Sequence, residues 1–189
     1  MDDVDQKIIS QLQRDGRTTF EKLAKIIGFS NMGTIKRVNK LFEKGIINIS
    51  ALVNTEKTGL HAALVFIEIE GAKAMQKLLE RFKECPRVIH IFTTFGGYNT
   101  VALIVAENPD TLESISLEKC SLRSSEGIRR SEFHPIGNIY YSPFLPVRKY
   151  LARKGKEITP CKVDCRPCNR YKREKCVGCP ATIYYKGTL

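Results

Sequence analysis

Three short amphipathic segments, each followed by a glycine, restrict the fold of this chain more than any other feature of its sequence. They fill the first 45 residues. The first segment covers residues 2–14 and stops at Asp15-Gly16, the second stops at Gly28, and the third covers residues 31–44. Each repeats its apolar residues at helical spacing. A short helix, a glycine-containing turn and a further helix predict that the second and third segments form a helix-turn-helix.

Capping residues mark where the second and third helices begin. Thr18 is the predicted N-cap of the second helix, and Glu21, three residues later, completes a capping box. Gly28 suits the left-handed position that ends this helix. Ser30 is placed to cap the third helix. Gly33, in the first turn of that helix, costs about 1 kcal/mol relative to alanine.

The outward face of the third helix is polar and basic. A recognition helix enters the major groove with its N-terminal residues leading, and this chain places there Asn31, Met32, Thr34, Lys36, Arg37 and Lys40. An amide, a hydroxyl, an apolar side chain and three cations suit base edges and phosphates. Thr18, Thr19 and Ser30 are predicted to add contacts. The alternative is a three-helix bundle with a solvated basic face, but this face carries no acid before Glu43, which favours DNA.

The middle of the chain follows the order β-α-β-β-α-β. Strands are predicted over residues 61–69, 88–94, 101–106 and 127–141, with helices over 74–83 and 109–117. This order predicts a ferredoxin-like sheet with two helices on one face. The fold class is therefore α+β, with a helix-turn-helix domain in residues 1–50, a linker in 51–60, a ferredoxin-like domain in 61–145 and a basic cysteine-rich tail in 146–189.

The tail carries five of the seven cysteines: Cys161, Cys165, Cys168, Cys176 and Cys179. Two Cys-x-x-Cys knuckles can place four thiolates around one soft metal. Zinc is the first prediction and an iron–sulfur cluster the second, with disulfides or free thiols as the remaining alternative. A metal would supply folding energy that so short and polar a tail lacks. Cys85 and Cys120 are interpreted as inert core residues.

Positive charge is concentrated in the tail. The net charge is +11, and from Arg148 onward twelve Lys and Arg stand against three Asp and Glu, so this segment alone carries +9. Such a segment attracts phosphates, and the alternative is a solvated tail that maintains solubility. Five cations are expected to lower the thiolate pKa values and to contact phosphates: Arg166, Arg170, Lys172, Arg173 and Lys175.

Two broad function classes are not expected. No apolar run reaches the roughly 18 residues that span a bilayer, and the acidic amino terminus does not look like a secretory signal, so a cytoplasmic location is predicted. No catalytic constellation is found, so an enzyme is not expected. His61, His90 and His134 lie on predicted strands and are interpreted as structural.

The first 47 residues resemble the amino-terminal domain of the Lrp/AsnC family of transcription regulators. The resemblance rests on Asp2-x-x-Asp5-x-x-Ile8-Ile9-x-x-Leu12, Asp15-Gly16-Arg17, Leu23-Ala24, Gly28-x-Ser30, Thr34-Ile35-x-Arg37-Val38-x-x-Leu41 and Gly45-Ile46-Ile47. It implies a regulator that binds double-stranded DNA. The family usually places small polar residues at the start of its recognition helix, where this chain has Asn31-Met32-Gly33.

The strand-turn-strand around residues 96–99 resembles the effector domain of the same family, the RAM domain. In relatives this domain forms dimers through its sheets, and dimers pair further. Small ligands such as amino acids bind near this turn, which implies Gly96, Tyr98 and Asn99 as a pocket rim. The family usually has aspartate where this chain has Asn99. Two alternatives stay open, a metal-cluster redox protein and a ligand-binding module that does not use its helix-turn-helix for DNA.

Overall fold

The computed structural model describes residues 1–152 and 155–189, which divide into two compact units. Unit 1 is Met1–Ala51 and unit 2 is Leu52–Leu189. The cysteine-rich tail therefore belongs to the same unit as the sheet and does not form a domain of its own. Across the described ranges, no helix combines the length and the apolar character needed to cross a bilayer.

Unit 1 consists of three helices, as the sequence predicts. They are α1 (Asp3–Arg14), α2 (Phe20–Ile27) and α3 (Asn31–Glu43). Their apolar faces meet in one core of Ile8, Leu23, Ile27, Val38 and Leu41. Gly28 ends α2 in the left-handed conformation with φ 74°, which confirms its predicted role. Phe42 is exposed at the end of α3.

The N-cap of α2 is Thr19 rather than the predicted Thr18. Thr19 Oγ1 accepts a hydrogen bond from the Lys22 backbone N–H at 3.3 Å. Thr18 Oγ1 instead donates to the Asp15 carbonyl at 2.7 Å, which closes the turn after α1. Adjacent threonines offer equivalent hydroxyls in sequence, so only the turn geometry decides between them. Ser30 caps α3 as predicted, since its Oγ accepts from the backbone N–H of Gly33 at 3.1 Å.

Unit 2 is built on a four-stranded antiparallel sheet in the order β3-β4-β2-β5. In chain order its elements are β1 (Val53–Asn54), β2 (His61–Ile69), α4 (Gly71–Phe82), β3 (Val88–Thr93), β4 (Thr100–Ala106), α5 (Pro109–Leu117), β5 (Ile128–Pro135), β6 (Phe144–Leu145) and α6 (Asn169–Lys172). This arrangement confirms the ferredoxin-like prediction. The last strand of the sheet ends at Pro135, six residues before its predicted end at 141.

The predicted linker is partly ordered into a second, two-stranded sheet. Within residues 51–60, β1 pairs antiparallel with β6. The Thr55 backbone N–H donates to the Pro143 carbonyl at 2.9 Å and its Oγ1 donates to the same oxygen at 2.9 Å. The chain before the large sheet is thereby joined to the chain after it.

Both faces of the large sheet are covered. On one face, alternate residues of β2 such as Val65 and Ile67 pack against Leu78 and Phe82 of α4 and Leu112 of α5. On the opposite face a second core forms from residues of three strands, the segment after β6 and the carboxyl end of the chain: Ala62, Ile89, Val105, Val147, Tyr185 and Leu189. Because β2 is buried on both faces, it reads as a nearly continuous apolar run.

The tail shares the core of the sheet. Cys161 is buried in the core beneath the helices, whereas Tyr185 and Leu189 are buried on the opposite face. A parallel bridge between Lys156 and Thr182 holds two parts of the tail together. This burial against the sheet domain supplies apolar contacts that the sequence of the tail by itself does not predict. The tail gains its apolar partners from the domain on which it lies.

Replacement of Gly127 tests the close approach of β5 and α4. Gly127 has φ 77°, and a Cβ built there would lie 2.6 Å from Cβ of Ala74 on α4. Gly127→Ala is expected to lower the free energy of unfolding by about 2–4 kcal/mol, since left-handed strain and overpacking add. Urea denaturation measures this loss.

Gly59→Ala is the matched control. Gly59 also has a left-handed φ, 66°, but a Cβ there meets no atom within 4 Å. Gly59→Ala is expected to lower the free energy of unfolding only by the left-handed strain, about 1–2 kcal/mol. Equal losses in the two variants would contradict the steric argument.

Candidate DNA-binding surface and cysteine cavity

The exposed surface of α3 presents a row of polar and basic side chains. Asn31, Met32, Lys36 and Lys40 are exposed, as predicted, and Met32 retains 63% of its surface. Asn39 is exposed on the same helix as well. The sequence interpretation missed it, although its spacing of three residues from Lys36 signals a shared face. No acidic residue of α3 precedes Glu43.

Thr34 does not belong to this surface, and its predicted outward position is wrong. Its side chain is fully buried, and Oγ1 donates a hydrogen bond to the Ser30 carbonyl at 3.0 Å. A threonine can satisfy its hydroxyl on the preceding helical turn, which allows it to occupy a core position. Helical spacing supports burial too, because Val38 and Leu41 lie four and seven residues further on and are buried.

Arg37 is engaged within unit 1. Its Nε lies 2.8 Å from Asp5 Oδ1, and its Nη2 is hydrogen-bonded to Asp2. The guanidinium also lies 6.0 Å from the centre of the Phe29 ring. Arg37 therefore joins α3 to the first turn of α1, whereas the sequence interpretation expected it to be available to DNA. The two acids three residues apart at the start of α1 were the sequence signal for this pairing.

The Arg37 pairs have a defined pH dependence. The hydrogen bond from Arg37 lowers the pKa of the Asp5 carboxyl from its ordinary value of 3.8. The pKa of the Asp2 carboxyl is also lowered from 3.8, mainly by the hydrogen bond from the Asp5 backbone N–H and next by the one from Arg37. Because both folded-state pKa values are depressed, the pairs contribute stability at neutral pH. That contribution is lost as the pH falls from 3.8 through the folded-state values.

The predicted effector residues lie together at the turn between β3 and β4. Asn99 Oδ1 accepts from the Ile69 backbone N–H at 3.0 Å, and its Nδ2 donates to the Ile69 carbonyl at 2.8 Å. The Tyr98 hydroxyl is hydrogen-bonded to Glu132, and the Arg130 guanidinium lies 4.4 Å from the Tyr98 ring centre. Gly96 is exposed at the tip of the turn.

The two hydrogen bonds of Asn99 extend the pairing of β2 with β4. The backbone ladder ends with Ile67 opposite Thr100, and the Asn99 side chain supplies the next pair to Ile69. An amide carries both a donor and an acceptor, whereas an ionised carboxylate is acceptor-only. This requirement explains an asparagine at this position, and it assigns Asn99 a structural role in place of a free ligand contact.

Six cysteines line one cavity of about 50 Å³ in unit 2. The tail provides Cys161, Cys165, Cys176 and Cys179, and the sheet domain provides Cys85 and Cys120. Apolar side chains, among them Val65, Phe82 and Leu122, complete the wall. The fifth tail cysteine, Cys168, does not line this cavity but a neighbouring groove, which Cys120, Cys165 and Cys176 line as well. In this part of the tail, the cavity is therefore lined by Cys161 and Cys165. Cys168, the second cysteine of the predicted Cys165–Cys168 knuckle, does not line it.

Burial controls the thiol pKa values. It raises the pKa of Cys165 to about 11 and that of Cys179 to about 12, and it raises those of Cys85 and Cys120 as well. The expectation that basic neighbours lower these values is wrong for Cys165 and Cys179, because the effect of burial is larger than that of any nearby charge. Several of the basic neighbours also pair with acids. Arg166 lies 2.8 Å from Asp164, Lys175 lies 3.1 Å from Asp110, and Arg170 pairs with Glu113.

One buried cation, Arg87, lines the cavity. Its Nη2 lies 2.6 Å from Glu107 Oε2, and both side chains are almost fully buried. Arg87 Nε has no hydrogen-bond partner among the described residues. In residues 1–152 and 155–189, no group of three or more His, Cys, Asp or Glu side chains is placed to hold a metal ion.

Asn99→Asp tests the ladder role of Asn99. At pH 7 the variant is expected to lose about 1–3 kcal/mol of unfolding free energy, because the carboxylate cannot donate to the Ile69 carbonyl. The loss should shrink at acid pH, since a protonated carboxyl regains the donor and the folded state therefore raises its pKa. Asn138→Asp, at an exposed position, adds the same charge as a control. A pH-independent loss would contradict the assignment.

Comparisons with known proteins agree with this geometry. Residues 1–41 match the AsnC-type helix-turn-helix domain, and residues 62–142 match the Lrp/AsnC ligand binding domain. The HTH-type transcriptional regulator FL11 of Pyrococcus furiosus is 29% identical over 67% of this chain and 85% of its own length. The uncharacterized HTH-type transcriptional regulator YezC of Bacillus subtilis is 36% identical over 60% of this chain and 81% of its own length.

A solved structure shows the same fold. The leucine response regulatory protein LrpA of Mycobacterium tuberculosis is 25% identical with a TM-score of 0.65, over 78% of this chain and 99% of that one. Both domain matches end before the cysteine-rich tail, which begins beyond residue 142. The two matched domains, in this order and with these relatives, show that the chain is a DNA-binding transcriptional regulator of the Lrp/AsnC family.

Proposed function

We propose that the chain recognises a specific duplex sequence through α3, acts as an oligomer, and carries a thiolate-bound metal centre in its tail. Such regulators are not enzymes. The observation that carries sequence recognition is the exposed row of α3, in which Asn31 and Met32 lie at the leading end and Lys36, Asn39 and Lys40 follow. The amide of Asn31 suits a base edge, and the lysines suit phosphates.

An oligomer is supported by the apolar edge of the sheet. β3 is an edge strand, and it leaves Phe92 half exposed, with Phe95 fully exposed just beyond it. Exposed aromatic residues beside an unpaired strand edge are the surface that a second copy would cover. Two copies related by a twofold axis would present two α3 helices to related half-sites.

An amino-acid effector stays a prediction. The relative LrpA is described as a leucine response protein, and the predicted rim of Gly96, Tyr98 and Asn99 lies at one turn of this chain. The Asn99 side chain is bound to Ile69, so an effector there would use the backbone of the turn and the Arg130 guanidinium, which already contacts the Gly97 carbonyl at 3.2 Å.

The metal centre is supported by the four tail cysteines that share one cavity. A metal held there would join the tail to the sheet domain.

The tail cations are less suited to DNA than the net charge indicates. Arg166, Arg170 and Lys175 are paired with acids, whereas Lys172 and Arg173 are exposed.

The first test concerns phosphate contacts of α3. Lys36→Ala with Lys40→Ala is expected to weaken binding to all duplexes and to reduce the slope of log affinity against log salt by about 0.9 for each lost contact. Fluorescence anisotropy across a salt series measures both. Lys7→Ala on α1, also exposed, is the control and should leave the slope unchanged. Arg37 is left intact, since its replacement would disturb unit 1. An unchanged slope in the double variant would refute the role of α3.

The second test concerns base recognition. Asn31→Ala is expected to weaken binding to a duplex selected from a random pool by about 1–3 kcal/mol while binding to unselected duplex stays the same. The lysine double variant should weaken both equally and so serves as the comparison. If Asn31→Ala also weakens both duplexes equally, Asn31 does not read sequence.

A further inference from the structure

We propose that the cysteine cavity binds a [4Fe–4S] cluster through Cys161, Cys165, Cys176 and Cys179. This inference rests on the metal centre proposed above, and it names the occupant and the four ligands. It replaces zinc, the first prediction from the sequence, with a larger group. It also gives Cys85 and Cys120, interpreted from the sequence as inert, a place in the wall of the site.

The size of the cavity favours a cluster over a single ion. About 50 Å³ is room for roughly four water-sized particles. Around one zinc ion, with Zn–S distances of about 2.3 Å, tetrahedral sulfurs lie only about 3.8 Å apart and leave no space between them. In a [4Fe–4S] cluster each thiolate binds a different iron, so the sulfurs surround a body several atoms across.

One buried hydrogen-bond donor on the cavity wall lacks a partner. Arg87 lines the cavity, and its Nε has no hydrogen-bond partner among the described residues. N–H groups directed at thiolate and sulfide sulfurs stabilise iron–sulfur clusters and set their potentials. A buried guanidinium N–H without a partner in an apolar wall is costly unless an acceptor is bound.

The local chain geometry selects the four ligands. Cys161 with Cys165, and Cys176 with Cys179, are short-range pairs that reach the cavity from two short segments of the tail. Cys85 and Cys120 reach it singly, from the segments after α4 and α5. Cys168 does not line the cavity; it lines the adjacent groove, as Cys120, Cys165 and Cys176 also do, and it precedes α6 as its N-terminal flanking residue.

Cluster assembly needs no electron transfer. Two ferrous ions, two ferric ions and four sulfides form the core, and the four thiols bind it with release of four protons. The bound cluster would secure a tail that already contacts α5, where the Val177 N–H donates to Thr111 Oγ1 at 3.2 Å and the Lys175 carbonyl accepts from Ser114 Oγ at 2.7 Å. Its loss would loosen the tail from the ligand-binding unit.

The deciding measurement is the metal content of the full-length protein purified without oxygen, and again after reconstitution with ferrous and ferric iron and sulfide. About four iron atoms and four acid-labile sulfides per chain, with the broad visible absorption of a cluster, are expected. One zinc per chain without iron uptake would support a metal centre but overturn this inference. Absence of both metals after reconstitution would overturn the inference and the proposed centre together.

Matched cysteine variants test the ligand set. Cys165→Ser and Cys179→Ser are expected to lose most of the iron and sulfide, whereas Cys168→Ser in the same tail should retain them. Cys85→Ala and Cys120→Ala should also retain about four irons per chain. Loss in Cys168→Ser or Cys85→Ala with retention in Cys165→Ser would overturn the assignment. Circular dichroism checks that each variant is folded. If a variant does not fold, the iron and sulfide content of the wild-type protein still identifies the occupant of the cavity.

DNA binding separates this inference from the regulator function. The Lys36→Ala, Lys40→Ala protein should keep its cluster while its DNA affinity falls, because those lysines and the cavity belong to different units. A wild-type protein that binds duplex but never takes up iron and sulfide overturns the cluster alone. A protein that takes up the cluster and binds no duplex supports the cluster and contradicts the proposed DNA recognition.

Discussion

The buried ion pair between Arg87 and Glu107 is the interaction on which the organisation of unit 2 depends. Arg87 lies directly before β3 and Glu107 directly after β4, and their side chains are 7% and 5% exposed. Glu107 also accepts a hydrogen bond from the Tyr185 hydroxyl, which in turn accepts from the Leu189 N–H at 2.6 Å. Removal of one partner of such a pair leaves an uncompensated buried charge, at a cost of about 3–5 kcal/mol. The pair therefore couples the sheet, the carboxyl end and the cysteine cavity that Arg87 lines.

Ion pairs with the sheet domain engage several of the positive charges of the tail. Its +9 excess predicts an electrostatic arm for phosphates. In the folded unit, however, Arg170 and Lys175 bind acids of α5, and Lys156 lies 2.7 Å from Glu84. These contacts dock the tail onto the sheet domain. The same docking brings four tail cysteines into one cavity with Cys85 and Cys120, so a segment that looks independent in sequence completes a cavity within unit 2.

In unit 1 the division between core and surface decides which residues can meet DNA. Thr34 and Arg37 match the family pattern, yet one is buried and the other holds α1 through Asp2 and Asp5. Motif residues of this kind preserve the shape of the helix-turn-helix. Asn31, Met32 and Asn39, which lie outside the motif, are exposed on the same helix. The pattern that identifies the family is therefore largely distinct from the surface that would distinguish one operator from another.

The sequence by itself determined the helices of unit 1, the β-α-β-β-α-β order, the family and the presence of a cysteine-rich tail, because periodicity, caps and short motifs are local properties of the chain. Choices between equivalent neighbours, such as Thr18 and Thr19, depended on turn geometry that composition does not encode. Only the tertiary structure decided that Asn99 completes a strand ladder with Ile69, and that Cys161 rather than Cys168 joins the cavity. The partners in these contacts are far apart in the chain, and packing of the sheet, its helices and the tail brings them together.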